Sequence, residues 1–178
     1  MRYFLALFAF LPSVTNAAVD KWSLVDLGDL CVIEKTFTAS EIPTTLTIYS
    51  KGDGQYLLTM ANKGWSTEDG QKMVVGLRMD KQLSAYNAAG GKEGSVSLIL
   101  SGDDFRRFQG AGLMVAILTE PARILEAFDL SGTRTASAKL IWCDIQHEDA
   151  KRESDAEAAR LQKRSEIISP NPFKVIQP

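Results

Sequence analysis

A hydrophobic period of two, running from Trp22 to about Leu118, constrains this chain more than any other feature. Over Met73–Asp80 the residues Met73, Val75, Leu77 and Met79 fall on one side, and Val74, Gly76, Arg78 and Asp80 on the other. Successive side chains take opposite faces in an extended strand, so the pattern sets one face on a core and the other toward water. Leu46 and Ile48 alternate with Thr45, Thr47 and Tyr49. Val96, Leu98 and Leu100 alternate with Ser95, Ser97 and Ser101, with Ile99 the one apolar intrusion. Leu113 to Leu118 is apolar on both faces, as a central strand is.

Turn chemistry falls between these runs. Lys51-Gly52-Asp53-Gly54 separates Tyr49 from Gln55-Tyr56-Leu57-Leu58, and its Asp-Gly step supplies the positive φ of a tight hairpin. Asp80-Lys81-Gln82 links Met79 to a strand over Leu83–Asn87, and Gly90-Gly91 precedes the Val96 strand. The reading is about six or seven short strands in a mainly β fold, a β-sandwich or a partly open barrel, with α+β as the alternative. Two helices interrupt it. Asp103-Asp104-Phe105 opens a short one, with Asp103 as N-cap and Gly110 or Gly112 at its end. A C-terminal helix starts near Ser131, after a strand-like Ile124–Leu130. On it Ala136, Leu140 and Cys143 share the face turned to the sheet.

Residues 1–17 have the layout of a cleavable export signal: Arg2, an unbroken apolar run from Tyr3 to Leu11, then Pro12 and the small-residue step Thr15-Asn16-Ala17. A membrane anchor needs about 20 apolar residues, more than this run offers, and no other stretch is long and apolar enough to span a bilayer. Cleavage after Ala17 leaves about 160 residues, the size of one domain. The expected organisation is a signal peptide over 1–17, a β-rich domain over 18–146, and a charged extension with a Pro-containing tail over 147–178. The extension, Glu148 to Arg164, is rich in Ala and in charge of both signs, with Leu161 its one large apolar side chain. That composition favours a solvated helix, with Glu148 and Arg152 at i,i+4 spacing.

Twenty Lys and Arg stand against 22 Asp and Glu, for a net charge of −2. A mildly acidic chain without a basic stripe excludes nucleic acid as a partner. Both cysteines, Cys31 and Cys143, outlast the signal, and an even pair in an oxidising compartment reads as one disulfide, closing a loop of just over a hundred residues. The alternative is two buried free thiols. Two Cys and a distant, charge-flanked His147 do not make a closed zinc set, so no metal and no other cofactor is expected.

Catalysis by Ser or Cys needs a base, most often His. The one histidine, His147, sits among Gln146, Glu148 and Asp149 and reads as a solvated residue on a charged helix. The Gly-rich steps neither open a helix nor hold phosphate-loop spacing. Asp103-Asp104 is accounted for by the positive end of a helix, and Glu126 and Asp129 are candidates for a groove rim. The chain is therefore read as not an enzyme. Trp22 and Trp142 read as core or disulfide-packing residues. Trp65, in the turn-like Asn62-Lys63-Gly64-Trp65-Ser66, is the candidate binding anchor, with Arg106 and Arg107 as further candidate partner contacts.

The ends of the domain resemble the invasion-associated locus B family of bacterial envelope proteins. The resemblance rests on Trp22 followed nine residues later by Cys31, the Gly-Ser-Val-Ser-Leu strand, the Asp103-Asp104-Phe105 helix start, and Phe128-Asp129-Leu130-Ser131-Gly132-Thr133 leading through Ala136 and Leu140 to Cys143. It covers roughly residues 20 to 145, as an ordering of features. It implies a periplasmic or outer-surface β-sandwich of a Gram-negative bacterium, linked in pathogens to host-cell invasion, with no catalytic residues to carry over. The charged extension after Cys143 departs from the family pattern and reads as an added docking segment. The functional expectation is an exported, non-enzymatic envelope protein that binds an envelope or host protein. The alternative is a periplasmic protein that binds or processes glycans or small ligands.

Overall fold

In the computed structural model the described residues are 21–28 and 30–167; the expected signal over 1–17 and the tail beyond 167 lie outside them. The strands are β1 Ser23–Asp26, β2 Cys31–Phe37, β3 Thr44–Gly52, β4 Gln55–Asn62, β5 Lys72–Met79, β6 Gln82–Gly91, β7 Ser95–Leu100, β8 Leu113–Thr119 and β9 Ala122–Asp129. The helices are α1 Gly102–Gly110 and α2 Thr133–Ile167. All nine strands join one antiparallel sheet in the order β1-β2-β3-β4-β7-β6-β5-β8-β9. Nine exceeds the six or seven expected. At the start of β2 the residues Cys31, Val32 and Ile33 are all buried, which erases the alternation that marks a strand with one wet face.

The inward row runs across the sheet as cross-strand partners: Ile33–Ile48, Ile48–Leu58, Leu58–Leu98, Leu98–Ala88 and Ala88–Met73. The expected hairpins form. Asp53 and Gly54 both take positive φ (51° and 69°) between paired Gly52 and Gln55, and Asp80 (φ 50°) turns β5 into β6. β6 extends past Asn87 to Gly91 because small residues let a neighbouring loop approach. Gly70 N–H donates to the Gly90 carbonyl, Gly90 N–H donates to that of Gln71, and a Cβ on Gly90 would collide with the Glu68 carbonyl oxygen.

The sheet curls into a half-barrel, the partly open barrel of the two architectures expected. β1 pairs with β2 only as far as Glu34, and the remainder of β2 meets the end of β9 through side chains. Phe37 and Phe128 pack edge to face with centroids 5.0 Å apart. Between them lies Lys35, only 2% exposed, whose Nζ donates to the Asp129 carbonyl at 2.9 Å and sits 4.7 Å over the Phe37 ring. Nearby, Ser40 and Thr44 donate to Glu126 Oε2 at 3.2 and 3.0 Å, and Asn62 Nδ2 donates to Thr44 Oγ1 at 2.8 Å. The seam is closed by side chains where backbone pairing stops.

Both helices pack on the inward face, where Phe105, Phe108, Ala136, Leu140 and Cys143 join the core. The N-cap of α1 is Ser101, not Asp103. Ser101 Oγ accepts from Asp104 N–H at 3.2 Å, and the Asp104 carboxylate accepts in return from Ser101 Oγ at 2.8 Å and from its N–H at 3.4 Å. Asp103 instead lies in the first turn and pairs with Arg106. No helix among the described residues is long and apolar enough to cross a membrane.

Candidate interaction surface

Everything distinctive about the chemistry of this molecule gathers on α2, which passes unbroken from the β-rich body into the charged extension. Its first three turns are docked. Ala136, Leu140 and Cys143 are buried, and Cys143 is disulfide-bonded to Cys31 at the start of β2, with the Cα atoms 6.1 Å apart. His147 is one turn further along the same face. Its Nδ1 lies 3.7 Å from Cys31 Sγ, and its Nε2 lies 3.2 Å from Asp26 Oδ1. The sequence reading of His147 as a solvated residue is thereby corrected: the helix does not break after Cys143, so i,i+4 spacing turns the imidazole back onto the sheet. Asp26 Oδ1 also accepts from Gly28 N–H at 2.8 Å. That bond first, and His147 after it, hold the Asp26 carboxyl below the usual carboxylate range. Asp144, half-buried beside them, is shifted the other way, because burial penalises its charge.

The opposite side of the same helix is apolar and open. Ala138, Ile141, Trp142 and Ile145 recur at the three- and four-residue spacing of one face. Trp142 is 64% exposed, Ile145 48% and Ile141 38%. This corrects the reading of Trp142 as a core residue. With Cys143 committed to the sheet, its neighbour is turned about 100° away around the helix. Beyond this patch Glu148–Arg164 is exposed throughout, and Arg152 reaches both Glu148 and Asp149 at 3.4 Å.

Trp65, by contrast, is half-buried and packed against the core, its backbone N–H donating to the Asn62 carbonyl at 2.9 Å. Trp22 meets Phe108 edge to face at 6.0 Å, in keeping with its reading as a core residue. Arg106 and Arg107 lie on α1 and are paired with Asp103 and Asp104, and Arg107 also donates to Ser84 at 3.3 Å. Arg106 and Arg107 thus spend their charge on acids of their own helix, and Trp65 spends most of its surface on the core. Tyr86, half-buried beside Asp104, has its phenol pushed up to about 12, by that burial first and by the neighbouring Asp104 carboxylate after it. Of the groove candidates, Glu126 is engaged by Ser40 and Thr44, and Asp129 accepts from Ser131 N–H and Oγ at 2.9 and 3.0 Å. A cleft of about 350 Å³ opens instead between Lys21–Leu24 and the start of α2, with Ser131, Thr135 and Lys139 on its far wall.

A mainly β half-barrel, curled around two helices and cross-linked from β2 to α2, is the class of fold these observations define. That fold is shared with invasion associated protein B from Bartonella henselae, which is 11% identical and superposes with a TM-score of 0.52 over 67% of this chain and 90% of that one. At that identity the likeness is one of fold, and it meets the resemblance read from the sequence. No protein-family model and no curated protein matches the chain.

Proposed function

We propose that this is an exported, non-enzymatic protein of the Gram-negative cell envelope that binds another protein through the outward face of α2. The observation that carries the reading is Trp142, a large aromatic exposed between Ile141 and Ile145 on a helix covalently fixed to the sheet one residue later. Rigid aromatic anchors lose little conformational entropy on binding and concentrate interface energy. The flanking extension, charged with both signs, suits a partner whose own apolar patch is rimmed by charge. A disulfide is compatible with a place outside the cytoplasm. The name of the structural neighbour supports an invasion-associated role.

The test is co-purification of the tagged protein from its own envelope after chemical cross-linking. Trp142→Glu and Ile145→Glu should each abolish recovery of a partner while far-ultraviolet circular dichroism and thermal midpoint stay as in the parent. Undiminished recovery with both variants overturns the reading. A second reading, small-ligand binding in the Lys21–Lys139 cleft, predicts that peptidoglycan fragments change the fluorescence of Trp22, which lines it. A flat titration removes it.

A further inference from the structure

We infer that Asp26, Cys31, Cys143 and His147 form a tetrahedral divalent-cation site of the zinc type when the disulfide is reduced, so that the same four residues can close the fold by a sulfur–sulfur bond or by a metal. The inference is independent of what binds the outward face of α2. One ligand atom from each residue lies within 4.8 Å of all the others. Two sulfurs, an imidazole and a carboxylate are the donors that four-coordinate zinc accepts.

The delivery of these donors is what separates the set from a chance cluster. Asp26 and Cys31 are directly paired residues across the β1–β2 hairpin, five residues apart in the chain. Cys143 and His147 stand one turn apart on a single helix face. A hairpin thus gives two ligands and a helix gives two more at i,i+4, the arrangement by which small ββα modules hold zinc. Nothing need be recruited from a distance: His147 already touches Cys31, and its other nitrogen already faces Asp26. The reading that excluded metal held that two Cys and a distant, charge-flanked His147 do not make a closed set; the fold brings His147 onto Cys31 and adds Asp26 as a fourth donor.

A phosphine reductant gives up two electrons and takes the oxygen of one water to become its oxide, while that water's two protons go to the sulfurs and the Cys31–Cys143 bond breaks to two thiols. A dithiol does the same by passing on its own two protons and closing to a disulfide. The cation then displaces both thiol protons to solvent and is bound by two thiolates, the lone pair of one His147 nitrogen and one Asp26 oxygen. The sulfurs separate to roughly 3.7 Å, as Zn–S bonds of about 2.3 Å require at tetrahedral angles. In the oxidised protein the sulfur lone pairs belong to a disulfide, a poor ligand, and the site is closed.

The experiment uses the full chain, reduced with a phosphine under anaerobic conditions and titrated with Co²⁺. The expected result is one equivalent bound, with thiolate-to-cobalt charge transfer and tetrahedral d–d absorption that zinc abolishes, and no such bands in the oxidised protein. His147→Ala and Asp26→Asn, both of which keep the disulfide in the oxidised state, should weaken cobalt binding by about tenfold or more and alter the d–d envelope. If reduction loosens the fold, zinc should restore the near-ultraviolet circular dichroism of the oxidised protein. Absent cobalt–thiolate absorption overturns the inference. So does binding indifferent to both substitutions, or a loosened fold that zinc fails to restore.

Discussion

At the scale of single residues, small polar decisions set the stability of the frame. Ser101 caps α1 and thereby seats Phe105 and Phe108 in the core. Ser101→Ala should cost about 1 kcal/mol, read as a lower urea midpoint with unchanged slope. Burial alone would raise the Asp104 carboxyl, but the Ser101 hydrogen bond, the Tyr86 phenol and the Arg107 charge more than offset it, so it is held below its usual range. A carboxyl depressed in the folded state stabilises fully above its unfolded pKa, and that contribution disappears as pH falls through the folded value. Between about pH 5 and about pH 2 the thermal midpoint of the parent should therefore fall more steeply than that of Asp104→Asn. Lys35→Ala should leave the Asp129 carbonyl unpaired in the seam and cost about 1 to 3 kcal/mol by the same denaturation measurement. This scale was the least legible in sequence. Two adjacent acids drew attention from Ser101, whose partner at the third position is Asp instead of the commoner Glu. The orientation of Trp142 and His147 depended on a helix continuing through residues whose composition alone marked a boundary.

Among elements, the strands with one wet face were readable, because period two survives wherever one side is solvated. β3, β4, β5 and β7 coincide with runs picked out by alternation or by turn chemistry, and β8 with the one run read as apolar on both faces. β2, buried on both faces where α2 docks, and β1, only four residues long, carry no such signal. For α2 the sequence separated a docked half from a solvated half, and burial agrees: the helix side chains from Glu148 to Arg164 are exposed. Truncation after Asp149 should accordingly shift the thermal midpoint by less than about 2 °C, since residues 150–164 are exposed and lie outside the core. By hydrogen exchange, the amides of residues 150–164 should lose protection well before those of 136–147, which are packed against the sheet.

For the whole molecule, the strand order was beyond the reach of local pattern. β7 inserts between β4 and β6, and β8 joins β5 with the β6 and β7 strands intervening in the chain. Such partners are chosen by matching inward rows over long separations, and no residue announces them. The Cys31–Cys143 pairing was accessible because only two sulfurs were available. Reduction in the absence of metal should lower unfolding free energy by about 4 to 5 kcal/mol in the chain-entropy limit, measured by urea denaturation with and without reductant. The unbroken α2 has a mechanical meaning as well. From Glu148 to Arg164 it projects about 25 Å at 1.5 Å per residue, as a cantilever. A tug at Arg164 is carried along the helical rod to the bolt at Cys143, and from there into the first residue of β2. Load reaches the sheet through a covalent bond at one point, so the lever stays joined to β2 even where the packing of the helix on the sheet gives way.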